Sequence, residues 1–283
     1  MKIPNRLQPL VDDGLIDDVL QRLKSGKEAD VYTVLCGDNI RCAKVYKEAT
    51  QRSFKQAVQY QEGRKVRNTR NARAMQKGSK FGRKQQEETW QTAEVDALFR
   101  LANAGVRVPQ PYLCMDGVLL MELVTDADGG VAPRLSDVTL TEEMAVNDFH
   151  EMIRNIVRML CAGIVHGDLS EFNVLLDAQG PVIIDLPQAV DAAANNHAES
   201  MFERDVNNIT TYYGQFAPQL LQTRYAKEIW LLYEDGKLTP EAPLTGLFVE
   251  EVHDVDMDSL MDEIISAEDE FYDRQRAAQE RED

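Results

Sequence analysis

His166-Gly167-Asp168-Leu169-Ser170-Glu171-Phe172-Asn173 is the densest run of polar chemistry in the chain, and Val182-Ile183-Ile184-Asp185 follows it as an apolar run ending in an acid. Asp168 and Asn173 stand five apart on a loop that follows a long helical pattern, and Asp185 closes a short strand pattern. Phosphoryl transfer asks few parts of a protein: a carboxylate to take or orient a hydroxyl proton, hard oxygen ligands for Mg²⁺, and a cation for the phosphates. Asp168 suits the first part. Asn173 and Asp185 suit the second.

Working outward, the cation is Lys44, set in the strand pattern Ala43-Lys44-Val45. Its expected partner is Glu94, on a helix that begins near Gln86, with Glu87 and Glu88 as first-turn acids that favour the helix dipole. Taken singly, these residues have ordinary roles: a loop or cap for Asp168, an edge strand for Lys44, a turn for Asn173. Their order, and the strand–helix–loop–strand contexts in which they fall, turn the reading toward catalysis. His166 reads as a structural hydrogen-bonding residue rather than a base. Ser170 has no second histidine placed for a hydrolase triad. Lys27 follows Gly26, but Gln21 and Glu28 stand where a Walker loop needs Gly and Ser or Thr.

The rest of the chain divides around these motifs. Val11, Leu15, Ile16, Val19, Leu20 and Leu23 recur at helical spacing, which predicts a helix over 12–24. Ser25 to Asp30 is a polar turn, Val31 to Leu35 a strand, Gly37-Asp38-Asn39 a hairpin turn, and Arg41 to Tyr46 the returning strand. A helix is expected to Ala104, where Gly105 stops it, then a strand over 118–123 and a helix from Thr141 to about Ala162. Two more helices are expected over 199–216 and 218–234.

The 283 residues carry a formal charge of −17, unevenly spread. Residues 51–84 hold eleven Lys or Arg and one acid, so that stretch is +10, while fourteen acids face three arginines from Glu250 onward. Such asymmetry points either to a polyanionic partner or to a solvated insertion that pairs with acidic surface elsewhere on the chain. The four cysteines form no C-x-x-C pair, the first ten residues have no signal-peptide pattern, and no run approaches the ~18 apolar residues that span a bilayer. A cytoplasmic protein without membrane contact is expected.

These motifs resemble the RIO family of atypical protein kinases. Ser25-Gly26-Lys27-Glu28-Ala29-Asp30-Val31-Tyr32 is similar to that family's nucleotide loop, His166 to Asn173 to its catalytic loop with Gly in place of the usual Arg, and Ile184-Asp185-Leu186-Pro187-Gln188 to its metal-binding motif. Glu203-Arg204-Asp205-Val206-Asn207-Asn208-Ile209 is similar to the helix that follows. The likeness runs from about Lys24 to Gly214. It implies ATP and Mg²⁺ (or Mn²⁺) as cofactors, Lys44 on the α- and β-phosphates paired with Glu94, and Ser25 and Gly26 near the phosphates. It also implies adenine on the backbone of Met121-Glu122-Leu123, metal on Asn173 and Asp185, and Asp168 as base. An aspartyl-phosphate, if formed, would fall on Asp185. The basic stretch would be the family's flexible insertion, with Ser53 and Ser79 as autophosphorylation sites. No A-P-E and no activation segment follow Asp185, and no winged-helix pattern precedes the motifs, so the likeness is to the branch with a plain kinase core.

The expected fold is α+β with two kinase-like lobes: an N-terminal helical extension over 1–23, an antiparallel-sheet N-lobe over 24–121, a mainly helical C-lobe over 122–240 and an acidic tail over 241–283. The expected activity is transfer of the ATP γ-phosphate to protein Ser or Thr, the chain itself included. Three alternatives stay open: an ATPase switch in ribosome or ribonucleoprotein maturation that contacts RNA or ribosome through 51–84, a small-molecule kinase of the aminoglycoside-phosphotransferase type, and a binding module. The last is disfavoured because no catalytic position is replaced.

Overall fold

The computed structural model describes residues 3–47 and 93–248. The basic stretch with Ser53 and Ser79, and the acidic run from Glu250, lie outside these residues.

The N-terminal half is an antiparallel sheet of five strands. A short helix, α1 (Gln8–Asp12), leads to β1 (Asp18–Ser25), and β2 (Ala29–Cys36) and β3 (Asn39–Tyr46) form a hairpin around Gly37. Gly37 has a φ of +59°, which glycine adopts without steric penalty. A helix over 93–103, α2, precedes β4 (Pro111–Met115) and β5 (Val118–Glu122). The strand order is β1-β2-β3-β5-β4. Central β3 therefore sets Lys44 opposite Val31 on one neighbour and Leu119 on the other. Strand alternation then sorts its side chains. Ala43 and Val45 turn into a small core with Leu7, Leu10, Ile16 and Val19, while Cys42 and Lys44 turn to the other face, onto a cavity.

The C-terminal half is mainly helical. α3 (Glu142–Cys161) starts at Thr141, whose Oγ1 accepts the Met144 N–H at 3.2 Å, with Glu142 and Glu143 in the first turn. Two short ladders follow: β6 (Ile164–Val165) pairs with β9 (Val190–Asp191), and β7 (Val174–Asp177) with β8 (Gly180–Ile183). They frame the polar loop 166–173 and Asp185. α4 (Ala198–Gly214) and α5 (Tyr225–Glu234) complete the layer. Phe149 on α3 anchors the packing, its ring 6.0 Å from that of Tyr213 and 5.8 Å from that of Tyr225. The α+β architecture of sheet lobe and helical lobe is the expected one. Among the described residues no helix is long and apolar enough to cross a membrane.

Three elements differ from expectation. The helix predicted over 12–24 is instead α1, a turn and strand β1. Gly14, at a φ of +71°, follows the end of α1. β1 pairs with β2 through two register shifts, between Val19 and Gln21 and between Arg22 and Lys24. Such bulges disturb the two-residue alternation of a strand, and the apolar spacing then mimics a helix. The helix predicted over 218–234 is divided: a 3₁₀ turn at Pro218–Gln222 and α5 are separated by Thr223, whose backbone is extended. The strand predicted to end at Asp185 stops at Ile183, for a reason that belongs to the site.

Candidate active site

A cavity of about 620 Å³ lies between the sheet and the helical layer. Its roof comes from β1, β2 and β3 with Leu23, Val31 and Cys42, its back from Met121 to Val124, and its floor from Leu175 and Ile184. Apolar walls with a few convergent charges are the usual make-up of a small-molecule site.

The charges gather at one end. Lys44 Nζ donates to Glu94 Oε1 at 2.6 Å and to Asp185 Oδ1 at 3.2 Å. Glu94 is supplied by α2 and is 6% exposed. Burial alone would lower the proton affinity of Lys44, but the Glu94 and Asp185 carboxylates outweigh it and hold the ammonium well above its ordinary pKa. Burial likewise pushes the Asp185 carboxyl up, and Lys44, His166 and Lys24 outweigh that, leaving it below the ordinary carboxylate value. Asp185 has a φ of +68°, the left-handed region that a non-glycine residue rarely enters. That turn of the backbone ends β8 two residues early and presents the carboxylate to Lys44. Backbone strain of this kind is held in place by the surrounding structure and collects at functional sites.

The loop 166–173 is fastened from below by α4. Gly167 and Leu169 donate their N–H groups to the two oxygens of Asp205, at 2.7 and 3.0 Å. Arg204 donates to the Gly167 carbonyl, and Asn208 Nδ2 to that of Leu169 at 3.0 Å. Asp205 is 2% exposed. Burial raises its carboxyl to about 6, against the opposing pull of His166, the two N–H groups and Arg204. His166 is structural, as the sequence suggests. Its Nδ1 accepts the Asp168 N–H at 3.3 Å, and its Nε2 meets the Ile184 carbonyl at 3.1 Å, joining the loop to the Asp185 segment.

Asp168 is exposed and accepts Gln188 Nε2 on Oδ2 at 3.0 Å. Asn173 Nδ2 donates to the Asp168 carbonyl at 2.8 Å, and the Asn173 carbonyl accepts the Ile184 N–H at 2.9 Å. The amide nitrogen of Asn173 is thereby committed, and its oxygen is left for another partner.

Of the residues singled out in the sequence, Gly26, Lys44, Glu122, Leu123 and Asp185 line the cavity. Glu94 stands behind Lys44. Asp168 and Asn173 lie off the cavity wall, tied to its Asp185 end through Ile184. The hydroxyl of Ser25 is turned to Lys47 Nζ at 3.3 Å, and Lys47 also meets Gly26 O at 2.7 Å, which pins the turn between β1 and β2. The side chain of Glu122 is directed to Arg107, at 3.1 and 3.3 Å, and its N–H donates to the Gln110 carbonyl at 2.8 Å, which leaves its backbone carbonyl for the cavity.

Sequence reading missed four supporting residues. Asp205, Arg204 and Asn208 lie within a recognised motif, and their spacing on one turn of helix carried the signal. Arg107 carried none. It reaches from the loop after α2 to Glu122 and to Asp177 of β7, so it joins the back of the cavity to the β7–β8 hairpin.

Comparison with known proteins adds a family. The RIO domain model matches residues 30–226. The RIO-type serine/threonine-protein kinase Rio1 of Haloferax volcanii is 36% identical over 206 residues, covering 72% of this chain and 66% of that protein. The serine/threonine-protein kinase rio1 of Schizosaccharomyces pombe is 29% identical over 255 residues, 85% of this chain and 47% of the relative. The human serine/threonine-protein kinase RIO1 is 29% identical over 230 residues, 81% of this chain and 38% of the relative. The chain thus spans about two thirds of the archaeal relative's length and less than half of the two eukaryotic ones.

Proposed function

This chain belongs to the RIO domain family, and from that premise we propose that it is an ATP-dependent serine/threonine protein kinase. The observation that carries the reading is the cluster of Lys44, Glu94 and Asp185 at the charged end of an apolar cavity. In this reading the adenine ring lies between Leu23, Cys42 and Leu175, against the backbone of Met121-Glu122-Leu123. Lys44, held in place by Glu94, steadies the α- and β-phosphates. Asp168 accepts the proton of a Ser or Thr hydroxyl, the hydroxyl oxygen bonds to the γ-phosphorus, and the bond from that phosphorus to the β–γ bridging oxygen breaks, leaving ADP.

The residues present fit Mg²⁺, or Mn²⁺ in its place. Asp185 is kept ionised and Asn173 has an amide oxygen to offer, a hard-oxygen pair of the kind that shares such an ion with phosphates rather than caging it. When bound, the ion neutralises phosphate charge.

Protein Ser and Thr are the substrates this reading favours, the chain's own serines among them, in a cytoplasmic setting. The +10 stretch 51–84 is proposed to contact RNA or ribosome, since Lys and Arg contacts to phosphates supply sequence-independent affinity. Neither the ATPase switch nor the small-molecule kinase is favoured by any feature of the site.

Incubation with γ-labelled ATP and Mg²⁺ tests the activity. Stable label on the wild-type protein, reduced at least ~10²-fold in Lys44→Ala and Asp185→Ala, is the expected result. Free phosphate with a little hydroxylamine-labile label that needs Asp185 would instead mean an ATPase working through an acyl phosphate. No turnover would favour a small-molecule kinase. A milder change should follow from Glu94→Gln. It removes the charge that holds Lys44 back, and Lys44 then leans on Asp185 alone. We expect kcat/KM for ATP to fall roughly 10- to 100-fold, because a buried ion has lost its main partner. Unchanged steady-state kinetics would remove Glu94 from the site.

A further inference from the structure

The cavity mouth carries charge that the reaction described above does not use. Lys24, Lys27 and Arg134 all line it, and none of their side chains has a hydrogen-bond or ion-pair partner among the described residues. In a chain of net charge −17, three unpaired cations at one opening are unusual placement for solubility alone. Two of them enter the lining from different parts of the fold, Lys24 from the sheet and Arg134 from the segment after β5. Lys24 comes from the end of β1. The register shift between Arg22 and Lys24 is why both Leu23 and Lys24 line the cavity, where strict alternation would send one of them outward. Arg134 comes from the segment after β5. Its backbone is extended and bridged to Leu175 of the cavity floor, and the next residue, Leu135, is fully buried, with its carbonyl accepting the Tyr212 hydroxyl. The guanidinium therefore starts from a fixed platform.

The surroundings of Lys24 describe what is missing between the two. Burial lowers its pKa first, the Arg134 charge lowers it further, Asp185 raises it and Lys44 lowers it again. Lys24 is thus within electrostatic reach of Arg134 across the mouth and of Lys44 and Asp185 at the charged end. Of the four acids in the lining, Glu28, Glu122, Asp137 and Asp185, Glu122 pairs with Arg107 and Asp185 with Lys44, and no ion pair among the described residues joins Asp137 to either cation. A polyanion in that gap would turn mutual repulsion into two attractions.

We propose that Lys24 and Arg134 form a cross-cleft grip on the polyphosphate chain of the bound nucleotide, so that the site discriminates phosphorylated nucleotide from nucleoside and is bridged across its mouth only when phosphates are present. This rests on the nucleotide reading of the cavity. It adds to that reading a pair of specificity-determining residues outside the Lys44 cluster, one from the sheet and one from the segment after β5.

Equilibrium binding of adenosine, ADP and ATP, the nucleotides with Mg²⁺, to the full chain tests it. The variants are Lys24→Ala, Arg134→Ala, the double variant, and the charge-keeping pair Lys24→Arg and Arg134→Lys. Each lost cation is expected to weaken ATP and ADP roughly 10-fold, and the double variant up to about 100-fold, while adenosine binds as in the wild type. The charge-keeping variants should stay near wild type. Equal loss for adenosine and ATP would make the two residues structural supports and overturn the grip, as would unchanged ATP affinity in the double variant. A wild-type protein that binds none of the three would sink the nucleotide reading itself, and the grip with it.

Discussion

Asp168→Ala is expected to bind ATP as the wild type does and to transfer phosphate ~10²- to 10⁴-fold more slowly, the span attributed to a positioned general base. The separation between binding and turnover follows from where the side chain lies. It is not part of the cavity wall, and the Lys44–Glu94–Asp185 cluster is built without it. The bonds that Asp168 itself gives to the loop are made by its backbone: its N–H to His166 and its carbonyl to Asn173. Truncation leaves both bonds intact. It removes one carboxylate and its contact with Gln188. Steady-state kinetics should therefore show a fall in kcat with KM for ATP little changed. Gln188→Ala should lower kcat far less, since the carboxylate stays and only its orientation is loosened. Turnover near wild type in Asp168→Ala would remove Asp168 as base.

The proposed catalytic set was legible in the sequence because each member lies in a short, strongly patterned context. Lys44 falls between Ala43 and Val45 in a strand with alternating faces, and Asp168 and Asn173 share one loop. Glu94 was found by its place on a helix. The Lys44–Glu94 pair bridges two elements separated by residues that give no periodic signal, and its closeness follows from charge complementarity, not spacing. Where reading failed, local geometry had overridden periodicity. β1 looked helical because its two register shifts scramble the alternation that marks a strand. The early end of β8 was invisible because nothing in Ile183-Ile184-Asp185 announces a left-handed backbone at a non-glycine residue. Arg107 was missed for a different reason. Its partners Glu122 and Asp177 are remote in sequence, and an arginine in a loop carries no mark of what it will bridge.

Asp205→Asn is expected to lower kcat roughly 10²-fold although Asp205 is not among the residues that line the cavity. Both carboxylate oxygens of Asp205 accept backbone N–H groups, from Gly167 and Leu169, on either side of Asp168. An amide in that place offers one acceptor, and its NH₂ opposes the second N–H. A buried donor without an acceptor costs about 1–3 kcal/mol, which the loop can recover only by shifting. Displacement of a catalytic group by about 1 Å is enough for a 10²-fold loss. The same site gives the pH dependence. Burial raises the Asp205 carboxyl from 3.8 to about 6, so the folded protein takes up this proton at a higher pH than the unfolded chain. The stability contribution of the raised pKa is fully present below about 4 and is lost as pH rises through about 6, on the order of 3 kcal/mol in all. Activity has the opposite sign, because protonation takes an acceptor from the loop. Acidification through about 6 should therefore slow the wild type while this group's share of stability grows. Asp148, also raised to about 6 by burial and by Glu151, titrates in the same range. The difference between the wild-type and Asp205→Asn profiles isolates Asp205, and the two curves should part near pH 6 in both kcat and thermal midpoint. Parallel profiles would show that Asp205 does not govern the loop.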